Sequence, residues 1–579
     1  MSLGPLIKVA RGEAPADLIL ARARIVNTFT GATERGNVAI YGGRIAGIGD
    51  YKEARETIDL GGRFLAPGLI DGHTHLESSL LHPTQYARAV LPRGTTSVVT
   101  DLHEIANVSG LSGMRYIRDW ARRLPLDLFF MAPSCVPATG LETSGAEVTA
   151  RDIRTVLRWK NVPGLGEMMD FPGIINGDEG VLEKVSLARG RVVDGHAPGL
   201  TGKELNAYVA AGIGSDHESI AWREGEEKLR RGLRLMIREG SSEKNLETLL
   251  PLVTDKTYKR CLFVVDDRTS ADLVNQGDMD AIVRRAIRLG LDPIRAIQLA
   301  TINPAEYFRL DGLGAVAPGY AANLIVLDDL HDFRPDLVYY RGRLVAQGGR
   351  ALFKVPPIKG GGLTRTVHVS PFPIEALRIP AERKDDPVIE VVPGQIVTRK
   401  REPAARVSGG EVVADTGTDI LKLVVVERHR ATGNIGLGLV AGFGLKDGAL
   451  ASSVAHDSHN IVAVGANDRD LYAAVNGVEK MQGGLVAIRA GKVLAALPLP
   501  IAGLLSDAPL EEVNNRLESL ETAAARLGCT LPAPFAVLSF LALPVIPELR
   551  LTDKGLVDVS AAPRLIAQTR LTENRPSPA

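Results

Sequence analysis

The sequence predicts an α/β protein organised on a distorted (β/α)8 TIM-type barrel, and three observations carry that prediction. Between residues 65 and 310, eight strand-like runs alternate with amphipathic helical stretches. A glycine-turn pattern, Tyr41-Gly42-Gly43-Arg44-Ile45-Ala46, returns beyond that region as Tyr340-Arg341-Gly342-Arg343-Leu344-Val345 and more loosely as Arg489-Ala490-Gly491-Lys492-Val493-Leu494. Each reads as a hairpin in which glycine supplies a positive φ. A joint rich in Pro and Gly, from Pro356 to Pro380, then precedes a further set of strands and helices.

Taken in order, the first segments (ARIVNTFTG, GNVAIYGGRIAGIGD, ETIDLGGRFLAPG) alternate apolar and polar residues with turn signals between them. Because two copies of the glycine turn flank the central region, residues 1–64 and 311–355 are expected to join into one small β-sandwich domain. Residues 65–310 form the barrel. Its strands are FLAPGLIDGHTH, TSVVTDLHE, LDLFFMAPS, VPGLGEMMD, RVVDGHAPG, GIGSDHES, LRLMIREGS and CLFVVDDRT, with helices at 110–124, 149–160, 177–189 and 279–289. Such a barrel collects its active site at the C-terminal ends of the strands. Residues 356–387 are expected to be a linker, and 388–579 a C-terminal α/β (α+β) domain with strands in ILKLVVVER, SHNIVAVGA and GGLVAIRAG and a helix at 510–527. The basic cluster Arg399-Lys400-Arg401, beside Pro403, reads as solvated linker.

Lys plus Arg and Asp plus Glu balance at 68 each, so no bulk charge draws the chain to nucleic acid or to a membrane surface, and a small neutral partner is expected. Cys135, Cys261 and Cys529 are odd in number and far apart, which excludes a disulfide framework and a cysteine zinc site and implies a reducing, cytoplasmic compartment. The N-terminus lacks a signal-peptide pattern, and no run reaches about 18 uncharged apolar residues, so no membrane span is expected.

The chemistry is read from the strand ends. In an extended strand, His73 and His75 point to the same face and can close on one metal ion. Strand four ends in Glu167, strand five in His196, strand six in His217, and strand eight in Asp266 and Asp267. Imidazoles and carboxylates together suit Zn, Mn or Fe in the divalent state, and one bridging carboxylate could hold two ions roughly 3.5–4 Å apart. Asp101, His103 and Glu104 on strand two, Glu239 and Ser241 after strand seven, and His456 and His459 in the C-terminal domain are further polar groups that could contact substrate.

PGLIDGHTH, the later His196, His217 and Asp266, and the closing GAVAPGYAANLIVLD resemble the amidohydrolase superfamily over residues 20–350. Within it, HTHLESS, GLGEMMDFPGI, DGHAPGL, SDHE, VVDDR and SVAHDSHN resemble the adenine deaminase family over nearly the whole chain. The resemblance implies one metal on His73, His75 and Asp266 and a second on His196 and His217, with Glu167 bridging; Asp266 matches better than its neighbour Asp267. It implies adenine as substrate, two divalent ions (Mn2+ or Fe2+ favoured, Zn2+ possible) and a shared hydroxide that attacks the ring. Asp266, Glu167 and His217 are then the catalytic group, with Asp266 moving the proton to the departing amine and hypoxanthine and ammonia as products. A homo-oligomer, as a dimer, is expected.

Two other readings compete with this one. Relatives that open cyclic amides bridge with a carbamoylated lysine, whereas here strand four ends in Glu167 and Lys160 precedes it; another aminated heterocycle stays an alternative substrate. A catalytically silent scaffold barrel would have lost ligands, and none is missing. His75-Leu76-Glu77 superficially matches the other zinc deaminases, which also need a Cys-x-x-Cys that this chain lacks.

Overall fold

The computed structural model describes residues 3–402, 405–560 and 563–568. A short helix the sequence reading did not anticipate, Leu3–Ala10, packs Leu6 and Val9 on the first sheet. That sheet has nine strands, five before the barrel and four after it. The two sets meet where Phe64–Pro67 runs antiparallel to Leu324–Leu327 and parallel to Ala16–Asn27. Phe64–Pro67 thus belongs to this sheet, and the first barrel strand starts only at Leu69. The strand Ala16–Asn27 carries a bulge between Leu20 and Ala23, where Arg22 has φ +54° and the parallel partner changes from Ala54–Asp59 to Phe64–Pro67. Leu20, Ile25 and Val38 from before the barrel share a core with Leu324, Val326 and Tyr339 from after it. The repeated glycine turns meet there: a Cβ on Gly43 would lie 3.1 Å from the Cβ of Arg341.

The barrel strands are β1 (Leu69–Thr74), β2 (Thr95–Asp101), β3 (Asp127–Met131), β4 (Gly164–Met168), β5 (Val192–Gly195), β6 (Ser215–Asp216), β7 (Arg234–Arg238) and β8 (Cys261–Val264). All are short and almost wholly buried, which is why they read as apolar runs rather than as alternating ones. Ladder pairing is parallel but broken into β1-β2-β3, β4-β5 and β6-β7-β8. A few backbone hydrogen bonds close the gaps: Ala132 N to Gly164 O at 2.9 Å and Gly166 N to Ala132 O at 2.7 Å, Gly214 N to Val193 O at 2.9 Å, and Asp266 N to His73 O at 2.9 Å with His75 N to Asp266 O at 3.0 Å, the last two joining β8 to β1. The distortion lies in those three seams.

The C-terminal region is built on an eight-stranded sheet. Its strand Ile420–Val426 alternates Val424 and Val426 toward the helix Asp468–Lys480 with Leu423 and Val425 toward the core shared with the barrel. Residues 356–387, expected as a linker, lie packed against this sheet: Val367 and Leu377 join the first of those faces and Ile379 packs with Val388. Arg399 to Arg401 are not linker either. They belong to the strand Thr398–Arg401 at the sheet edge, with Lys400 Nζ 2.9 Å from Asp558 Oδ2, and basic residues there discourage pairing with another chain. Pro403, the rest of that reading, lies outside the described residues, as does 569–579 of the expected C-terminal domain. No described helix is long and apolar enough to cross a membrane.

Candidate metal centre

β1 delivers two imidazoles because its backbone can press against its neighbours. A Cβ on Gly72 would lie 2.5 Å from Leu262 on β8, and one on Gly68 would overlap Thr96 on β2. His75 Nδ1 lies 3.2 Å from the Asp101 carbonyl; donating there leaves Nε2 as a lone-pair donor. Asp266 follows β8 in the left-handed region at φ +64°, unusual for a non-glycine residue. Three bonds hold it: its N donates to His73 O at 2.9 Å, and its carbonyl accepts from His75 N at 3.0 Å and Thr74 Oγ1 at 2.8 Å. That twist turns Asp266 toward the histidines, while Asp267 turns away and accepts from Ser78 Oγ.

At the end of β4, Glu167 N donates to Asp101 Oδ2 at 2.9 Å, so Asp101 orients the strand and supplies no free ligand atom from that oxygen. Any side chain at Gly166 would collide with it. Glu167 is 3% exposed and divides its carboxylate between two groups. Oε1 lies 3.2 Å from His75 Nε2 and 3.7 Å from His73 Nε2; Oε2 lies 2.7 Å from His196 Nδ1 and 3.3 Å from His217 Nε2. Asp266 Oδ1 completes the first group, 3.5 Å from His73 Nε2 and 3.3 Å from His75 Nε2.

These spacings fit a divalent metal. Ligand atoms 2.0–2.2 Å from one ion at tetrahedral angles stand roughly 3.4 Å apart, and His73 Nε2 is buried with no hydrogen-bond partner among the described residues. All six expected ligands, His73, His75, Glu167, His196, His217 and Asp266, are buried here. Lys160 is exposed and takes no part.

Electrostatics favours the charged carboxylates. Burial alone would raise Glu167, but His217, His196 and His75 outweigh it and hold the carboxyl well below its ordinary range. Burial acts the same way on Asp266, and His73, His75, His217 and Arg238 reverse it. Burial, with His217 alongside, lowers His73.

Sequence reading missed the outer ring. Glu218, inside the SDHE motif, lies 3.4 Å from His217 Nε2 and 3.6 Å from His196 Nδ1. Arg238, at the end of β7, clamps Glu218 through Nη2 at 2.8 Å and Asp266 Oδ2 through Nη1 at 2.8 Å. Lys228 Nζ, wholly buried, reaches Ala197 O at 2.6 Å and Asp216 Oδ2 at 2.9 Å, tying together the segments that carry His196 and His217.

The remaining candidates divide. Glu239 pairs with Arg285 and accepts from Leu246 N, and Ser241 bonds Asp272, so neither reaches the metal group. His103 does, with Nδ1 3.6 Å from Glu167 Oε1. Glu104 is gripped by His456 Nδ1 and His459 Nε2 across the barrel and C-terminal interface, and Asp457, the acid between those two histidines, lies 3.8 Å from His103 Nε2. His456 stacks on Phe540 with ring centroids 4.5 Å apart.

His75, His103, Glu104, Glu167, His196, His217, Asp266 and His456 line one pocket, which also takes in Glu218, Arg238, Glu243 and Asp267. Its apolar wall, Ile396, Phe540, Leu543 and Ile546, comes from the C-terminal region. A second pocket adjoins it through Asp267, His456 and Phe540 and includes Ser241. A charged floor facing an apolar roof suits a flat heterocycle.

Comparison with known proteins agrees in extent with this architecture. The amidohydrolase family model matches residues 64–345, and the adenine deaminase C-terminal domain model matches residues 395–562. An adenine deaminase of Dehalococcoides mccartyi is 58% identical over 97% of this chain and 98% of its own length. Adenine deaminase 2 of Carboxydothermus hydrogenoformans is 49% identical over 96% and 97%, and an adenine deaminase of Desulfatibacillum aliphaticivorans 49% over 96% and 98%.

Proposed function

The chain belongs to the adenine deaminases of the amidohydrolase family, and from that membership we propose how its residues divide the work of hydrolysing adenine to hypoxanthine and ammonia. It is a metal-dependent hydrolase. The observation that carries the assignment of roles is the split carboxylate of Glu167, one oxygen facing His73 and His75, the other His196 and His217.

His73, His75 and Asp266 would hold one divalent ion, His196 and His217 a second, and Glu167 both, with Mn2+ or Fe2+ favoured and Zn2+ accommodated. Such ions supply a nucleophile at neutral pH by lowering the pKa of water from 15.7 toward about 7. Asp266 takes the proton of the attacking water and passes it to the amine leaving C6. Its Oδ2, the oxygen turned from the histidines, accepts from Arg238 Nη1 at 2.8 Å. A carboxylate whose proton affinity is held down against burial by His73, His75 and His217, with Arg238 beside them, gives a captured proton up readily, as a base that must next act as an acid requires. Glu104, clasped by two C-terminal imidazoles, and His103 stand nearest as groups to hydrogen-bond the purine ring.

A cyclic-amide hydrolase is disfavoured by Glu167 in the bridging position. Three unpaired cysteines support a cytoplasmic location. A homodimer is the assembly we infer, to be checked by light scattering. The function is tested by chelation: ammonia release from adenine should fall away and return on adding Mn2+ or Fe2+. Metal-free protein working at the parent rate would refute it.

A further inference from the structure

One buried acid of the cavity, Glu243, has no hydrogen-bond partner among the described residues. Residues 239–244 form a tight loop after β7, closed by the Glu239–Lys244 bridge and by Gly240 N donating to Glu243 O at 2.8 Å. The loop is pressed on the segment after β8, where Ser241 N donates to Asp267 O at 2.8 Å. A Cβ on Gly240 would stand 2.6 Å from the Asp267 carbonyl. This fixes Glu243 facing inward, 5% exposed, on the wall of the cavity that holds His75, His196, His217 and Asp266.

Most other acids of that wall are engaged; Asp457, whose Oδ2 is also without a hydrogen-bond partner among the described residues, keeps an ion pair to His103 Nε2 at 3.8 Å. Glu167 faces imidazoles, Glu218 and Asp266 are clamped by Arg238, and Asp267 accepts from Ser78. Both oxygens of Glu243 lack a hydrogen-bond partner among the described residues. A carboxyl buried without a partner is costly, so a site that keeps one has a use for it. The substrate supplies the missing donor. With its C6 amine at the metal ligands, adenine carries at its other end an imidazole ring with one N–H.

We propose that Glu243 receives that imidazole-ring N–H, and so makes the site selective for the free base over purines substituted at N9. This rests on the adenine deaminase reading above. An N9 substituent removes the donor, leaves the acid buried and bare, and places bulk against the loop. Sites built to bond a substrate N–H discriminate sharply against analogues that lack it. Burial, working with Asp267, Asp266 and Glu218 against the pull of Arg238, sets the Glu243 carboxyl at about 8, in keeping with an acid that awaits a partner.

The test uses the metal-loaded full-length enzyme and its Glu243→Ala and Glu243→Gln variants, with purine and 9-methylpurine as ligands that cannot lose an amine. Parent enzyme should bind purine at least about 10-fold more tightly than 9-methylpurine. Glu243→Ala should weaken purine and raise KM for adenine about 10- to 100-fold, leave 9-methylpurine affinity and metal content unchanged, and lower kcat less than it raises KM. Glu243→Gln, which keeps an acceptor oxygen, should recover part of the loss. A Glu243→Ala enzyme with parental preference for purine would overturn the proposal, as would one whose only change is lost metal. A parent enzyme that releases no ammonia from adenine would instead sink the deaminase reading, and calorimetry would still report whether purine is preferred.

Discussion

Oε2 of Glu167 lies 2.7 Å from Nδ1 of His196, while its Oε1 faces the β1 histidines. The residue therefore has to present two equivalent anionic oxygens. Glu167→Gln keeps the shape but turns one of them into an amide N–H2, a donor aimed at lone pairs. Bound metal should fall, and turnover should drop by at least about 100-fold, more than is typical when only an outer partner of a metal ligand is lost. Metal analysis beside ammonia release checks this; parental metal content at full rate would contradict the bridging role.

The barrel was legible because its strands are buried on both faces, so each stands out as a short, largely apolar run. The outer ring was harder to read. Arg238 ends β7 and Glu239 opens the loop after it, and the sequence does not say which of the two turns inward; Arg238 does, and Glu239 goes to Arg285. Glu218 sat inside a quoted motif but was overshadowed by His217. Glu104 meets His456 across 352 positions of chain, a contact that periodicity cannot disclose. The same limit hid the roof of Ile396 and Phe540, whose apolar character suits any core.

Lys228 is the point where the His196 and His217 segments are joined. Burial would lower the ammonium, and Asp216 and Glu224 reverse that and hold it charged. Lys228→Met leaves Asp216 buried without its cation, a change that typically costs about 3–5 kcal/mol. Chemical denaturation should show that loss, and metal bound through His196 and His217 should weaken with it. An equally stable variant with parental metal affinity would mean that the two segments are held by other contacts.

His456 and Glu104 give the barrel and C-terminal interface a pH dependence. Burial would lower the imidazole, but Glu104, with Asp267 and Asp457, raises it to about 9. A group whose folded pKa lies above its ordinary 6.5 contributes stability that is fully present below 6.5 and is lost as pH rises through about 9. Glu104 behaves oppositely: burial would raise it, His456, His459 and His103 hold it well below 4.5, and its contribution fades only as pH falls below that value. The pair is therefore at full strength between about 4.5 and 6.5. His456→Gln keeps the size of the side chain and removes the charge, so its melting temperature should lie furthest below the parent's near pH 6. The gap should close between pH 6.5 and 9 as the parent loses the same proton. Melting curves of both proteins across that range decide the matter, and a gap that stays constant from pH 6.5 to 9.5 would show that His456 holds the interface by packing on Phe540 rather than by charge.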